Sequence, residues 1–261
     1  VTGAAGTPRP PWELHHGEAL ATLAALHTGS CDALITDPPY SSGGQYRGDR
    51  AAGVHTKYVQ TGSGSLTLPG FTGDNRDQRA YAYWSALWLS EALRVVRPGG
   101  AGLVFTDWRQ LPTTVDAFQA GGWVWRGIVP WVKPSHRPRQ GGFAAACEYV
   151  VWGSAGPLAT GVPDCLPGVV TAATPREREH LTQKPVDLLR ALVRIAPPGG
   201  VVLDPFTGSG TTGVAALAEG RRFVGVELAG EHVEVARRRL AAAADGWSDG
   251  ASRDTERVGL W

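Results

Sequence analysis

Asp37-Pro38-Pro39-Tyr40 sets a carboxylate, two rigid rings and a phenol side by side, one residue after the apolar run Ala33-Leu34-Ile35. Proline cannot donate to a sheet ladder, and it holds the residue before it in extended geometry, so a strand reaching Asp37 stops there abruptly. The carboxylate is then fixed at the strand's end beside an aromatic ring. By turn chemistry alone, the four residues suit a rigid strand exit with Tyr40 packed on it equally well. A second group lies in the other half of the chain, where a β-branched strand from Val201 ends at Asp204 and a glycine-rich turn follows. Gly208, Gly210 and Gly213 satisfy G-x-G-x-x-G, and Glu227 ends the next strand at a spacing suited to ribose hydroxyls. Glycines permit close backbone approach, and free N–H groups at a helix start favour an anionic group, phosphate or carboxylate. A third group, Lys133, His136, Arg137 and Arg139, has no acid among its neighbours and suits phosphate contact or a solvated basic loop.

The elements that must position these groups alternate. From Glu18 onward, helix and strand patterns follow one another as in a parallel sheet covered on both faces. Residues 17–30 read as a short helix feeding the strand 31–37. Residues 81–100 place Trp84, Leu87, Trp88 and Val95 near helical spacing and stop at Pro98-Gly99-Gly100, and the strand 101–107 follows. A helix over 111–122 precedes two β-rich stretches, 123–132 and 147–153, and the alternation then runs to residue 244. In a doubly wound sheet the C-terminal ends of the strands meet at a switch point, so both chemical groups can line one crevice. Residues 41–80, rich in Gly, Ser and Thr without a period, read as a long mobile loop. Residues 1–10 and 246–261 read as tails around a single domain over 11–245.

Four motifs in this order, D-P-P-Y at 37–40, H-L-T-Q-K-P at 180–185, D-P-F-T-G-S-G-T-T at 204–212 and G-V-E at 225–227, resemble the β-class amino-methyltransferases of DNA. The resemblance spans about Leu14 to Leu240. It implies a doubly wound, mostly parallel α/β sheet of the Rossmann-like methyltransferase fold, with circularly permuted motif order and S-adenosylmethionine as cofactor. It also implies that Glu18 and Ala19 lie beside the cofactor's adenine amino group and Phe206 against the ring. Asp37 and Asp204 would also border the cofactor, Gly208, Ser209, Gly210, Thr211 and Thr212 would wrap its methionine portion, and Glu227 would bind the ribose. His180, Thr182 and Lys184 would face the cofactor's carboxylate. Asp37 and the Pro38 carbonyl would accept the two hydrogens of an exocyclic amino group, held rigid by Pro39, and aim the nitrogen's lone pair at the methyl group. The base must first leave the duplex. Tyr40 and Trp131 would then clamp it, and Lys133, Arg137 and Arg139 would meet phosphates. Residues 134–180 would form a small target-recognition insert. Glu148 reads as a satisfied sheet-edge carboxylate.

On this reading the chain methylates N6 of adenine in double-stranded DNA, since D-P-P-Y leans toward adenine and S-P-P-Y toward cytosine. N4-cytosine methylation uses the same chemistry and stays open. C5 methylation needs a cysteine nucleophile, and Cys31, Cys147 and Cys165 lack its Pro-Cys context. Two readings from other classes remain, a nicotinamide-dependent oxidoreductase and a non-catalytic nucleic-acid-binding relative. The first leaves D-P-P-Y and T-Q-K-P without a task.

A net charge of +1 is small for a nucleic-acid binder, so DNA contact would rest on a local patch. The cysteines lack C-x-x-C spacing, and no metal site is expected. No run of apolar residues approaches a membrane span, and the start has no signal-peptide order, which suits a cytoplasmic protein. The resemblance leaves room for a homodimer and a companion restriction enzyme.

Overall fold

Residues 10–40, 76–136, 140–158, 165–175, 183–245 and 247 are described by the computed structural model. Eight strands form one sheet: β1 (Trp12–His16), β2 (Cys31–Thr36), β3 (Val96–Thr106), β4 (Val124–Val132), β5 (Cys147–Ser154), β6 (Val170–Thr171), β7 (Val201–Asp204) and β8 (Arg222–Glu227). Their spatial order is β1-β8-β7-β2-β3-β5-β4-β6. All pairings are parallel except those of β5, which runs antiparallel to both β3 and β4.

The six helices of the described residues are α1 (Ala19–Ala25), α2 (Gln78–Val95), α3 (Leu111–Ala120), α4 (Val186–Val193), α5 (Thr211–Ala218) and α6 (Gly230–Ala244). They cover both faces of the sheet, and for that reason the central strands are apolar without alternation. On β2, Leu34 faces one way and packs in a cluster with Leu23, Trp88, Leu89 and Phe118 from α1, α2 and α3. Ala33 and Ile35 face the other way, toward Leu188, Leu189, Ala215 and Leu240 from α4, α5 and α6. The same split divides Val104 from Leu103 and Phe105 on β3. Among the described residues no helix is long and apolar enough to cross a membrane.

Three boundaries differ from the sequence reading. β1 was not anticipated: its residues, Trp-Glu-Leu-His-His, are too polar to signal a strand, and pairing along β8 from Trp12↔Phe223 to His16↔Glu227 creates it. Residues 78–80, expected in the long loop, form the first turn of α2, because the Asp77 carboxylate accepts the Ala80 N–H at 2.8 Å and caps the helix. β5 runs through the span expected as an insert and is an internal strand of the sheet. The expected tails and the 41–80 loop otherwise lie almost wholly outside the described residues.

Chain connections from β7 lead to β8 on one side, and those from β2 lead to β3 on the other. The boundary between β7 and β2 is therefore the switch point, where a doubly wound sheet opens a crevice.

Candidate active site

The crevice exists and has a volume of about 220 Å³. Asp37, Pro38, Pro39 and Tyr40 line it from the end of β2. Glu18 and Ala19 line it from the start of α1, and Lys184 from just before α4. Asp204, Phe206, Gly208, Ser209, Thr211 and Thr212 contribute the turn between β7 and α5, and Glu227 the end of β8. Gly210 belongs to that turn without lining the crevice. Residues far apart in the chain thus share one wall, as the two sequence motifs require.

Asp204 joins the two halves. Its carboxylate accepts the Thr36 hydroxyl at 2.6 Å and the Phe206 N–H at 3.1 Å, tying the end of β2 to the turn after β7. Burial pushes its carboxyl up to about 6. The turn itself needs Gly210, whose φ of +83° is left-handed and whose Cβ, if present, would press on Ala236 at 3.2 Å. From α6, Arg239 reaches back to the Ser209 carbonyl at 2.7 Å and the Thr211 hydroxyl at 3.1 Å. The turn is therefore fixed in shape before anything binds.

Glu227 accepts the N–H groups of Gly208 and Ala229, each at 2.8 Å, and lies 3.6 Å from the His232 ring. Burial works against its charge, yet the His232 ring and the two N–H groups hold it below the usual carboxylate range. Glu18 caps α1 through the Ala21 N–H at 2.8 Å. Phe206 rests edge-on against Trp88 and tilted against Trp84, with ring centroids 5.1 and 5.4 Å apart. Arg76 lies over the other ring of this group, 4.0 Å from the Trp84 centroid.

Asp37 is unusual among these groups. Its Oδ2 accepts from Lys184 Nζ at 2.5 Å, whereas its Oδ1 is buried without a hydrogen-bond partner among the described residues. Burial pushes the Asp37 carboxyl up, and the Lys184 ammonium opposes that rise. Lys184 also lies 3.4 Å from Glu148 Oε2, and Lys133 forms a short contact with Glu148 Oε1.

Some expected residues are elsewhere. Trp131 does not reach the crevice: it is 2% exposed, sits in the core beside Phe105 and Leu188, and donates its indole N–H to the Ala172 carbonyl at 2.9 Å. Its β4 position pairs with Glu148, and its ring packs in the cluster that Leu188 and Leu189 of α4 cover. The clamp expected of Tyr40 and Trp131 is therefore not assembled. Lys133 turns inward to Glu148 rather than outward to a phosphate. Lys184 is engaged by Asp37 and Glu148. His180, Thr182, Arg137 and Arg139 lie outside the described residues. The sequence reading missed Trp84, Arg76, Phe105 and the part that Glu148 takes beside Lys184. For Glu148 one signal was available, a carboxylate inside an otherwise apolar strand.

A doubly wound sheet with a preformed glycine turn, a buried carboxylate at the end of β8 and a facing D-P-P-Y edge defines a Rossmann-like protein built around a nucleoside-bearing cofactor. Residues 31–159 and 166–238 match the family model of DNA methylases acting on N6 or N4 amino groups, and the chain belongs to that family. YubD of Escherichia coli (strain K12), described as a methylase, is 28% identical over 244 residues, covering 91% of this chain and 94% of its own. Among solved structures, the DNA modification methylase TTHA0409 of Thermus thermophilus, complexed with S-adenosyl-L-methionine, superposes with a TM-score of 0.63 at 24% identity. That match covers 90% of this chain and 97% of TTHA0409. The PvuII DNA methyltransferase, cytosine-N4-specific, superposes with a TM-score of 0.66 at 16% identity over 90% of this chain and 94% of its own.

Proposed function

We propose that this chain transfers a methyl group from S-adenosylmethionine to the N6 amino group of an adenine flipped out of double-stranded DNA. The observation that carries the reading is the buried Oδ1 of Asp37 at the lip of the crevice, which has no hydrogen-bond partner among the described residues. Buried polar atoms normally have partners, and an acceptor left open at a site's edge invites an N–H donor.

The residues present fit the cofactor. Gly208 carries no side chain where a Cβ would enter open space, so its backbone stays accessible from the crevice. Phe206 offers a ring to adenine, and Glu18 and Glu227 offer acceptors to an amino group and to ribose hydroxyls. When bound, S-adenosylmethionine supplies a methyl group made electrophilic by its positively charged sulfur.

The chain's own part is alignment. An exocyclic amino nitrogen is a poor nucleophile, because its lone pair is delocalised into the ring. Asp37 Oδ1 and the Pro38 carbonyl would take its two hydrogens, draw the nitrogen toward tetrahedral geometry and aim its lone pair. Tyr40 offers the base a face to stack on. Base flipping costs a few kcal/mol, which such contacts offset.

The test is incubation of the purified protein with methyl-labelled S-adenosylmethionine and mixed-sequence duplex DNA, followed by nucleoside mass spectrometry. Labelled N6-methyladenine is the expected product. Labelled N4-methylcytosine would keep the acceptor chemistry and change the base, and label in neither would overturn the reading.

A further inference from the structure

Behind Asp37, four charged side chains meet in a line. Lys184 bridges Asp37 Oδ2 at 2.5 Å and Glu148 Oε2 at 3.4 Å, and Lys133 closes the line on Glu148 Oε1. Two carboxylates and two ammoniums make the set neutral, which lowers the cost of holding it largely out of water. The Lys184 ammonium also sits 5.3 Å from the Phe105 ring centroid and 5.8 Å from that of Tyr40.

The acceptor role asks for an ionised Asp37 with one defined oxygen free. Burial disfavours that ionisation, and a carboxylate free to turn would offer either oxygen. Lys184 meets both needs by sitting on Oδ2. A lysine is nevertheless a flexible stem with three rotatable donors, so it needs its own anchor. Glu148 supplies one from β5, and Lys133 holds Glu148 in turn.

We infer that Glu148 is a positioning residue for methyl transfer: through Lys184 it keeps Asp37 Oδ2 occupied and Oδ1 turned to the incoming amino group. This rests on the reading of Asp37 as the acceptor. The two carboxylates are driven apart in character. Lys184 and Lys133 hold Glu148 below the usual carboxylate range against its burial, whereas burial moves Asp37 up. Opposed environments of this kind mark paired carboxylates with different tasks. The charged groups facing Asp37 are Lys184 ahead of α4, Glu148 on β5, Lys133 after β4 and Asp204 on β7.

The charges predict shifts of opposite sign. Glu148 raises the Asp37 pKa and Lys184 lowers it. Glu148→Gln should therefore move the Asp37 titration to lower pH, and Lys184→Met should move it to higher pH. Carboxyl ¹³C NMR of the full chain, without cofactor or DNA, reads these shifts directly. In turnover, Glu148→Gln should lower kcat roughly ten- to a hundredfold with little change in KM for DNA. The acidic limb of its pH–rate profile should move down, and that of Lys184→Met up.

If Glu148→Gln does not fold, the double variant Glu148→Gln/Lys133→Met removes one charge of each sign, leaves the set neutral and should show the same loss of kcat. Unchanged kcat in Glu148→Gln or in the double variant, or an Asp37 titration and acidic limb that stay in place in Glu148→Gln alone, would overturn the positioning role alone. Titration shifts of the expected signs in a protein that methylates neither base would instead overturn the acceptor reading, and the positioning role with it.

Discussion

Asp37 must be buried, ionised and incompletely paired at the same time, and each condition opposes another. Burial raises its pKa, the Lys184 pairing that opposes this consumes one oxygen, and the second oxygen has no partner among the described residues. Such a group is expensive to the fold and suited to one task. Asp37→Ala should lower transfer by at least roughly 10²–10³-fold, the scale of losing one preorganised hydrogen-bonding group at a reacting centre. The variant leaves the Lys184 ammonium with Glu148 as its remaining carboxylate and the set one positive charge in excess, so it should fold yet unfold at a lower temperature than the wild type, and turnover beside thermal unfolding checks both. At this scale the sequence was legible where chemistry is local: Asp37 to Tyr40 and Phe206 to Thr212 all border the crevice or belong to its turn. It did not foresee that Trp131 lies in the core, or that Glu148, expected as a satisfied sheet-edge carboxylate, is paired with Lys133 and Lys184 on an internal strand. They oppose each other across β4 and β5 and so share one face of the sheet, and contacts from segments distant in sequence decide that one is covered as core and the other meets Lys184. No spacing within either strand encodes it.

At the scale of elements, most helices and strands could be read because the sheet is covered on both faces and its central strands are apolar without alternation. β1 and the antiparallel course of β5 could not, since both come from partners distant in sequence. The hydrogen bond from Thr36 to Asp204 likewise joins strands 168 residues apart. Its energetics carry a testable sign. With its pKa raised to about 6 in the folded state, Asp204 adds stability that is complete below the unfolded value near 4 and lost as pH rises through 6. A rise of roughly two units corresponds to about 3 kcal/mol. Asp204→Asn keeps an oxygen for the Thr36 hydroxyl and the Phe206 N–H but cannot ionise. The stability of wild type relative to Asp204→Asn should therefore fall by about 3 kcal/mol between pH 4 and pH 7. Urea unfolding of both proteins across that range measures the difference, and a constant difference would mean that Asp204 is not held up by burial.

Over the whole molecule, the charge balance limits how DNA can be attracted. With a net charge of +1 there is no general field to draw in a polyanion, so attraction depends on where cations stand free of internal partners. Lys133 and Lys184 are committed to Glu148 and Asp37, which removes them as phosphate contacts. Arg137 and Arg139, separated from each other only by Pro138, are then the sequence's best candidates. Each phosphate neutralised adds about −0.9 to the slope of log K against log salt on duplex DNA. Arg137→Ala/Arg139→Ala should therefore flatten the slope by about 1.8. Lys133→Met should leave it unchanged even though it too removes a positive charge. Fluorescence anisotropy of a labelled duplex titrated with each protein between about 50 and 200 mM salt gives the three slopes. Flattening by the lysine variant would show that the Lys133–Glu148 pair opens when DNA binds, and an unchanged slope in the arginine variant would move the phosphate contacts elsewhere on the surface.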